Sequence, residues 1–215
     1  MTFIERQIEK LRQEKYHGSE TEEFFVDTER LRKGEPYEYV LGYVMFCGAT
    51  IDLSHRPMIP RPETAFWVAR AIEELQTQSA KGGPLRVADT FAGAGNVGVA
   101  ILKHVPNAQV EFFELDPKLA PQIEKNIVLN GIDPARTTVV SASDIAGLTG
   151  TYDALCAVPP YVPYEALPDL DPEMIDFEPH LAFFAHEGGH EFHRILIERG
   201  RDFLKEGGTL YMETD

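Results

Sequence analysis

The stretch AVPPY, residues 157–161, closes an apolar, strand-like run and opens a loop. A Pro-Pro-aromatic sequence at a strand end suits enzymes that handle nitrogen nucleophiles, but such a loop usually begins with a hydrogen-bonding residue. Here that place is held by Val158, whose side chain neither donates nor accepts, and Pro159, Pro160 and Tyr161 follow. Two readings stand, a catalytic loop with one part replaced and a plain turn. A second stretch, DTFAGAGN, residues 89–96, has Gly93 and Gly95 where a chain turns tightly and lets a ligand approach its backbone. Asp89, Phe91 and Asn96 belong to the same loop. Glu114 ends the next strand-like run and is followed by Leu115. A carboxylate there can accept both hydroxyls of a ribose. Asp144, followed by Ile145, ends the third run, where a carboxylate reads an adenine amine or caps a turn. The glycine motif is read as Gly93-x-Gly95, with Gly98 set outside the dinucleotide pattern, and no Walker lysine follows. An adenosine ligand without a pyrophosphate fits these features, and S-adenosylmethionine (SAM) is the candidate.

These residues need a scaffold, and the periodicity supplies one. From Leu85 onward strand and helix patterns alternate. LRVADTFAG, AQVEFFELD, TTVVSASD, YDALCAV and TLYMETD read as strands. NVGVAILKHV, PKLAPQIEKNIVLNG and GHEFHRILIERGRDFLKEGG, the last spanning residues 189–208, read as helices. Such alternation predicts an α/β fold, a mostly parallel Rossmann-like sheet with helices on both faces and its ligand at the carboxyl ends of the strands. Before it, IPRPETAFWVARAIEELQTQ reads as a helix with Pro62 in its first turn and Glu63 near its positive end. The organisation is therefore a helical segment over residues 1–33, a β-hairpin linker over 34–60 and a ligand-binding domain over 61–215. In the first segment Phe3, Ile4, Ile8 and Leu11 share one face, and Phe24, Phe25 and Leu31 form another. Gly42 and Gly48 break the hairpin stretch EYVLGYVMFCGATIDLS.

Composition narrows the class. The chain has 215 residues, 43% of them hydrophobic, and a net charge of -15, which argues against a nucleic-acid backbone as main partner. No run approaches the roughly 18 apolar residues of a membrane helix, and the charged start MTFIERQIEKLRQEK is no secretion signal. Cys47 and Cys156 lie in apolar strand-like runs, which suggests reduced core thiols and a cytoplasmic home. His186, His190 and His193 make no coherent metal site, and the last two are expected as exposed residues at a helix start.

Six segments in order, GEPYEYVLGYVMFCG, IPRPET, DxxxGxGN, YDALCAVPPYVP, DFEPHLAFFAHEGG and FLKEGGTLYMET, resemble the glutamine N5-methyltransferases of the HemK/PrmC type. These are class I enzymes that use SAM to methylate the glutamine of the GGQ loop in peptide-chain release factors. The resemblance runs from about Gly34 to the last residue, and IPRPET and FEPHLA are its most specific pieces. It implies that Asp89, Gly93 and Gly95 line the methionine end of SAM, while Glu114 holds the ribose and Asp144 the adenine. It places Arg61, Pro62 and Glu63 at the cofactor mouth. Pro159, Pro160 and Tyr161 become the wall for the target side chain, and Glu178 and Pro179 shape the substrate channel.

The departures carry equal weight. The family has Asn-Pro-Pro-Tyr where this chain has Val158 to Tyr161, so the side chain that grips the amide is replaced. Losing one buried hydrogen-bond partner costs about 1–3 kcal/mol, or roughly 5- to 150-fold in rate if felt wholly in the transition state. Phe91 stands where the family's loop has its first glycine. The helical N-terminal part is shorter than the family's, and the chain stops at the fifth strand, where class I sheets add two more. The expected function is a SAM-dependent N-methyltransferase of the glutamine type. The alternatives are a different acceptor, such as a small-molecule or peptide amine, or SAM binding without catalysis. The oligomeric state stays open.

Overall fold

The computed structural model describes residues 1–142 and 145–214, the Glu173 side chain excepted. Helices α1 (Phe3–Glu14) and α2 (Glu22–Arg32) start at Thr2 and Thr21, whose hydroxyls accept backbone N–H groups of the first turn. Leu11 and Leu31 meet Tyr37 and Val40 of α3 (Tyr37–Leu41) in a small core of their own. Phe3 and Phe25, expected on the apolar faces, are exposed instead. Too little surface is available in this small segment to cover every apolar side chain.

The hairpin is shorter than its sequence pattern suggested, because Tyr37–Leu41 is helical and ends at Gly42 in the left-handed region (φ 98°). Strands β1 (Tyr43–Phe46) and β2 (Ala49–Asp52) pair antiparallel around Cys47 and Gly48. Both turn residues have positive φ, 43° and 77°, as a two-residue hairpin turn of the favoured twist demands. Cys47 is therefore a half-buried turn residue rather than a strand residue, while Cys156 is fully buried. Both thiols are free.

The sheet-forming part of the chain follows the alternation read from the sequence. Its elements are α4 (Pro62–Ser79), β3 (Leu85–Thr90), α5 (Asn96–His104), β4 (Ala108–Glu114), α6 (Ala120–Leu129), β5 (Thr137–Ser141) and β6 (Tyr152–Ala157). A short pair, β7 (Val162–Pro163) and β8 (Phe184–Ala185), frames α7 (Pro172–Phe177), and α8 (Glu191–Arg199) leads to β9 (Leu204–Met212). The predicted helix over 189–208 is cut at both ends. It starts at Glu191, and after Arg199 a 3-10 turn enters the strand, whose Gly207 sits at φ 77°.

The five main strands pair in parallel in the order β5-β4-β3-β6-β9. Both faces are dry, as parallel sheets require. Val87, Val110, Phe112, Ala154 and Cys156 face the core that includes Val68, Ile72, Val99, Ile101 and Ile123 of the helices. Ala88, Phe113, Leu155 and Ala157 face the other side with Ile145, Leu148 and Leu196. The chain runs outward from β3 to β5 and returns to β6 on the far side of β3, so the switch point lies between β3 and β6.

One polar stripe binds the hairpin to this unit. Gln122, Asn126 and Asn130 recur every fourth residue along α6. Asn126 Oδ1 accepts from the Asp52 N–H at 2.8 Å, Asn130 Oδ1 accepts from the Thr50 N–H at 3.0 Å, and Gln122 donates to the Asp52 carbonyl at 2.8 Å. Asn126 also donates to the Ala94 carbonyl at 2.9 Å, so the same buried amide steadies the glycine loop.

Candidate functional site

A cleft opens at the carboxyl ends of β3, β4 and β6, enclosing about 1030 Å3 with its open mouth included. Its floor is the glycine loop. Phe91 takes φ 59°, Gly93 54° and Gly95 74°, a left-handed run that glycine tolerates and phenylalanine resists. A side chain at Gly93 would meet nothing within 4 Å, so that backbone faces the open cleft. At Gly95 one would stand 3.1 Å from Ile123. Gly98 was set outside the glycine motif, but positions 93, 95 and 98 do complete a G-x-G-x-x-G spacing. A Cβ at Gly98 would lie 2.3 Å from the Phe112 ring, so the third glycine seats α5 directly on the sheet.

Two carboxylates shape the electrostatics. Asp89 is buried at the end of β3 and accepts the Gly98 N–H at 2.8 Å. Burial pushes its pKa up to about 8, against the lowering effect of that hydrogen bond. Glu114 ends β4, accepting from the Gly93 N–H at 2.7 Å and the Asp116 N–H at 2.8 Å. Burial raises its pKa as well. With backbone donors on both oxygens, Glu114 still has lone pairs that a diol in the cleft could reach.

Arg61 and Glu178, drawn from the two most specific motifs of the sequence, meet here. Glu178 is buried and accepts from Arg61 at 2.6 Å and from the Ile59 N–H at 2.8 Å. One carboxylate thus joins the segment before α4 to the segment after α7, across 117 and 119 residues of chain.

Of the residues singled out from sequence, Arg61, Asp89, Phe91, Gly93, Asn96, Glu114, Leu115, Val158, Pro160 and Pro179 line the cleft. Gly95 supports the turn from below, and Glu178 lies behind the wall it braces. Pro62 and Glu63 open α4 but are exposed and do not line it. Ile145 is fully buried in the core against Phe113, away from the lining. Asp144 lies outside the described residues. Pro159 is buried, and Tyr161 stands beyond the cleft with its ring 6.1 Å from that of His193. His193 is a half-buried residue bonded to the Glu213 carbonyl at 2.9 Å, a correction to its expected exposure.

The structure adds residues that the sequence reading missed. Thr64 is 3% exposed, lines the cleft and has no hydrogen-bond partner among the described residues, so its hydroxyl is available to a ligand. Its place one residue after IPRPE, in the first turn of α4, was a usable signal. Phe192 packs edge-on against Phe91 at 5.1 Å and closes the wall beside Val158, which no local pattern announced. The site fits an adenosyl ligand bearing a polar tail: a diol acceptor at Glu114, an exposed glycine backbone, and the side chains of Thr64 and Asn96.

No protein-family model matches the chain. Among solved structures, a methyltransferase from Pyrococcus furiosus matches 77% of this chain and 68% of its own, with a TM-score of 0.53 at 18% identity. The hMettl16 catalytic domain in complex with the MAT2A 3'UTR hairpin 6 matches 85% and 64%, with a TM-score of 0.57 at 17% identity. The fold is that of a class I, Rossmann-like methyltransferase. Sequence goes further. A release factor glutamine methyltransferase from Bacteroides thetaiotaomicron is 34% identical over 187 residues, covering 86% of this chain and 64% of the relative. Its counterpart from Bradyrhizobium diazoefficiens is 33% identical over 180 residues, covering 84% and 60%. By sequence the chain is a relative of the release factor glutamine methyltransferases, and it spans less than two thirds of the length of these two.

Proposed function

We propose that the protein is a SAM-dependent N-methyltransferase whose acceptor is the side-chain amide of a release factor glutamine, as the names of its relatives suggest. The observation that carries the cofactor assignment is the pairing of Glu114 with the open glycine backbone at Gly93. When bound, SAM supplies a methyl group activated by its positive sulfur. The protein's task is to align the acceptor nitrogen and exclude water. Glu114 would take the ribose hydroxyls, with Asp144 assigned to the adenine amine. Thr64, Asn96 and the glycine loop would hold the amino-acid tail. Val158, Pro160, Phe91 and Phe192 form the wall that the acceptor would meet. No helix among the described residues is long and apolar enough to cross a membrane, and the two free thiols support a reducing, cytoplasmic setting.

A second acceptor, an amine, is favoured by one observation. Val158 presents an apolar side chain to the cleft where the family's pattern has an amide-gripping asparagine. The test is Val158→Asn, assayed with labelled SAM on a GGQ-containing release factor and on amine acceptors. A glutamine enzyme should gain roughly 5- to 150-fold on the release factor, the worth of one buried hydrogen bond. An amine enzyme should lose activity on its amine, because the new amide is buried without a partner. Absence of SAM binding in calorimetry would overturn both readings.

A further inference from the structure

The segment DFEPHLAFFAHEGG ends at Gly189, and that glycine lies against the Val158 to Tyr161 loop. After β8 the chain turns through residues 186–190 before it enters α8. Glu187, Gly188 and Gly189 take φ of 55°, 63° and 92°, three successive residues in the left-handed region. Glycine adopts that region freely, and a glutamate adopts it at a cost. The turn is nonetheless closed by several bonds. The Gly189 N–H donates to the His186 carbonyl at 3.0 Å, and the His190 N–H to the Glu187 carbonyl at 3.2 Å. The Glu191 carboxylate accepts the His186 N–H at 3.1 Å, and Glu187 accepts from Arg194 at 2.8 and 2.9 Å.

The two glycines differ in what a side chain would meet. Gly188 is exposed, and a Cβ there has nothing within 4 Å. Gly189 is buried, and a Cβ there would stand 2.1 Å from the Tyr161 carbonyl oxygen. The chain just beyond that carbonyl is tied down. The Val162 N–H donates to the Phe183 carbonyl at 2.8 Å, and Val162 and Pro163 pair with Phe184 and Ala185. On the other side Pro159 and Pro160 have locked φ, and each restricts the residue before it. A push on Tyr161 is therefore carried along a stiff strip to Pro160 and Val158, both of which line the cleft.

We propose that Gly189 is a positioning residue for this loop. The turn seats the Tyr161 carbonyl against a bare Cα and so fixes where Val158 and Pro160 stand in the cleft. The same turn leads into α8, which brings Phe192 to the same wall. One glycine thus sets two parts of the acceptor wall relative to each other. The consequence for methyl transfer rests on the methyltransferase reading, whereas the placement of the loop is independent of it.

The test compares Gly189→Ala with Gly188→Ala. Both put a Cβ on a left-handed residue, so backbone strain is common to them, and only the first presses on Tyr161. In methyl spectra of valine-labelled protein, the Val158 signals, identified by their loss in Val158→Ala, should move in Gly189→Ala and stay in Gly188→Ala. Both variants should bind S-adenosylhomocysteine within about 2-fold of the native protein, because Gly189 lies outside the cleft lining. Relieving the 2.1 Å approach takes about 1 Å of movement, and a misplacement of that size costs on the order of 100-fold in rate. With labelled SAM and a GGQ-containing release factor, kcat should fall by that much in Gly189→Ala, with KM for SAM unchanged. Unmoved Val158 signals in a folded Gly189→Ala overturn the inference and leave the methyltransferase reading standing. Equal effects of the two alanines overturn it as well, since strain alone would then account for them. If Gly189→Ala does not fold, hydrogen exchange on the native protein decides. The Gly189 and Val162 amides should then open at one shared rate, and separate rates overturn the coupling. Failure of the native protein to bind S-adenosylhomocysteine would instead overturn the methyltransferase reading, with the Val158 signals still readable in the unloaded protein.

Discussion

Replacing Glu178 by alanine removes one carboxylate and strands two donors. The Ile59 N–H, 2.8 Å away, belongs to a residue only 5% exposed, so water cannot take over its bond. The Arg61 guanidinium, 2.6 Å away, is 28% exposed at its side chain, so water recovers part of that loss. Hydrogen bonds to charged groups are worth about 1.5–3 kcal/mol each. Counting the first in full and discounting the second gives a destabilisation of about 3 kcal/mol. For a chain of this length that lowers the melting temperature by roughly 6–12 °C. Glu178→Gln keeps one acceptor and should cost about half as much. Urea unfolding of Arg61→Ala, Glu178→Ala and the double variant then isolates the pair, with an expected coupling of about 1–2 kcal/mol. SAM affinity should fall in parallel, since Ile59 and Arg61 both line the cleft. A Glu178→Ala protein that unfolds within about 0.5 kcal/mol of the native one would refute the reasoning, because the carboxylate would then not be holding the two segments together.

Two further outcomes follow from the cleft carboxylates. Glu114→Ala should weaken SAM binding by about 1.5–3 kcal/mol in calorimetry, the worth of its bonds to the ribose; unchanged affinity would remove Glu114 from the site. Asp89 has a folded pKa raised from 3.8 to about 8, so between those values the folded state holds a proton that the unfolded state has released. Its contribution to stability therefore falls as pH rises from about 4 to 8. Asp89→Asn, which keeps an acceptor for the Gly98 N–H, should flatten that part of the urea stability profile. An unaltered slope would mean the carboxylate is not titrating there.

The legible parts of this protein were those set by local periodicity. Alternating strands and helices after Leu85 fixed the sheet, and once the sheet was in place the ends of β3, β4 and β6 had to converge. Glu114 and the glycine loop were visible for that reason. What stayed hidden depends on distant partners. The Asn126 amide is buried because Asp52, 74 residues earlier, needs its backbone satisfied. Nothing near Asn126 in sequence says so. Glu178 reads locally as a solvated loop residue, and its partners lie more than 100 residues away. The end of α8 was misjudged because FLKEGG has acceptable helix formers up to its glycines, while pairing of Leu204 beside Tyr152 claims the segment for the sheet. Ile145 was assigned to the ligand from its neighbour Asp144, but an isoleucine at a strand exit has an apolar core to enter as readily as a cleft to line.

The close seat of α5 on the sheet has a consequence for how this sequence can change. At Gly98 a single methyl group would overlap the Phe112 ring and crowd Val110, and both of those residues are themselves buried. Any larger residue there must lift the start of the helix, carrying Asn96 and the loop before it away from Glu114. A position behind the cleft thus sets the height of the glycine loop that lines it. At Gly98 the scaffold and the cleft floor are the same object, and a larger residue there calls for Phe112 to shrink in the same step.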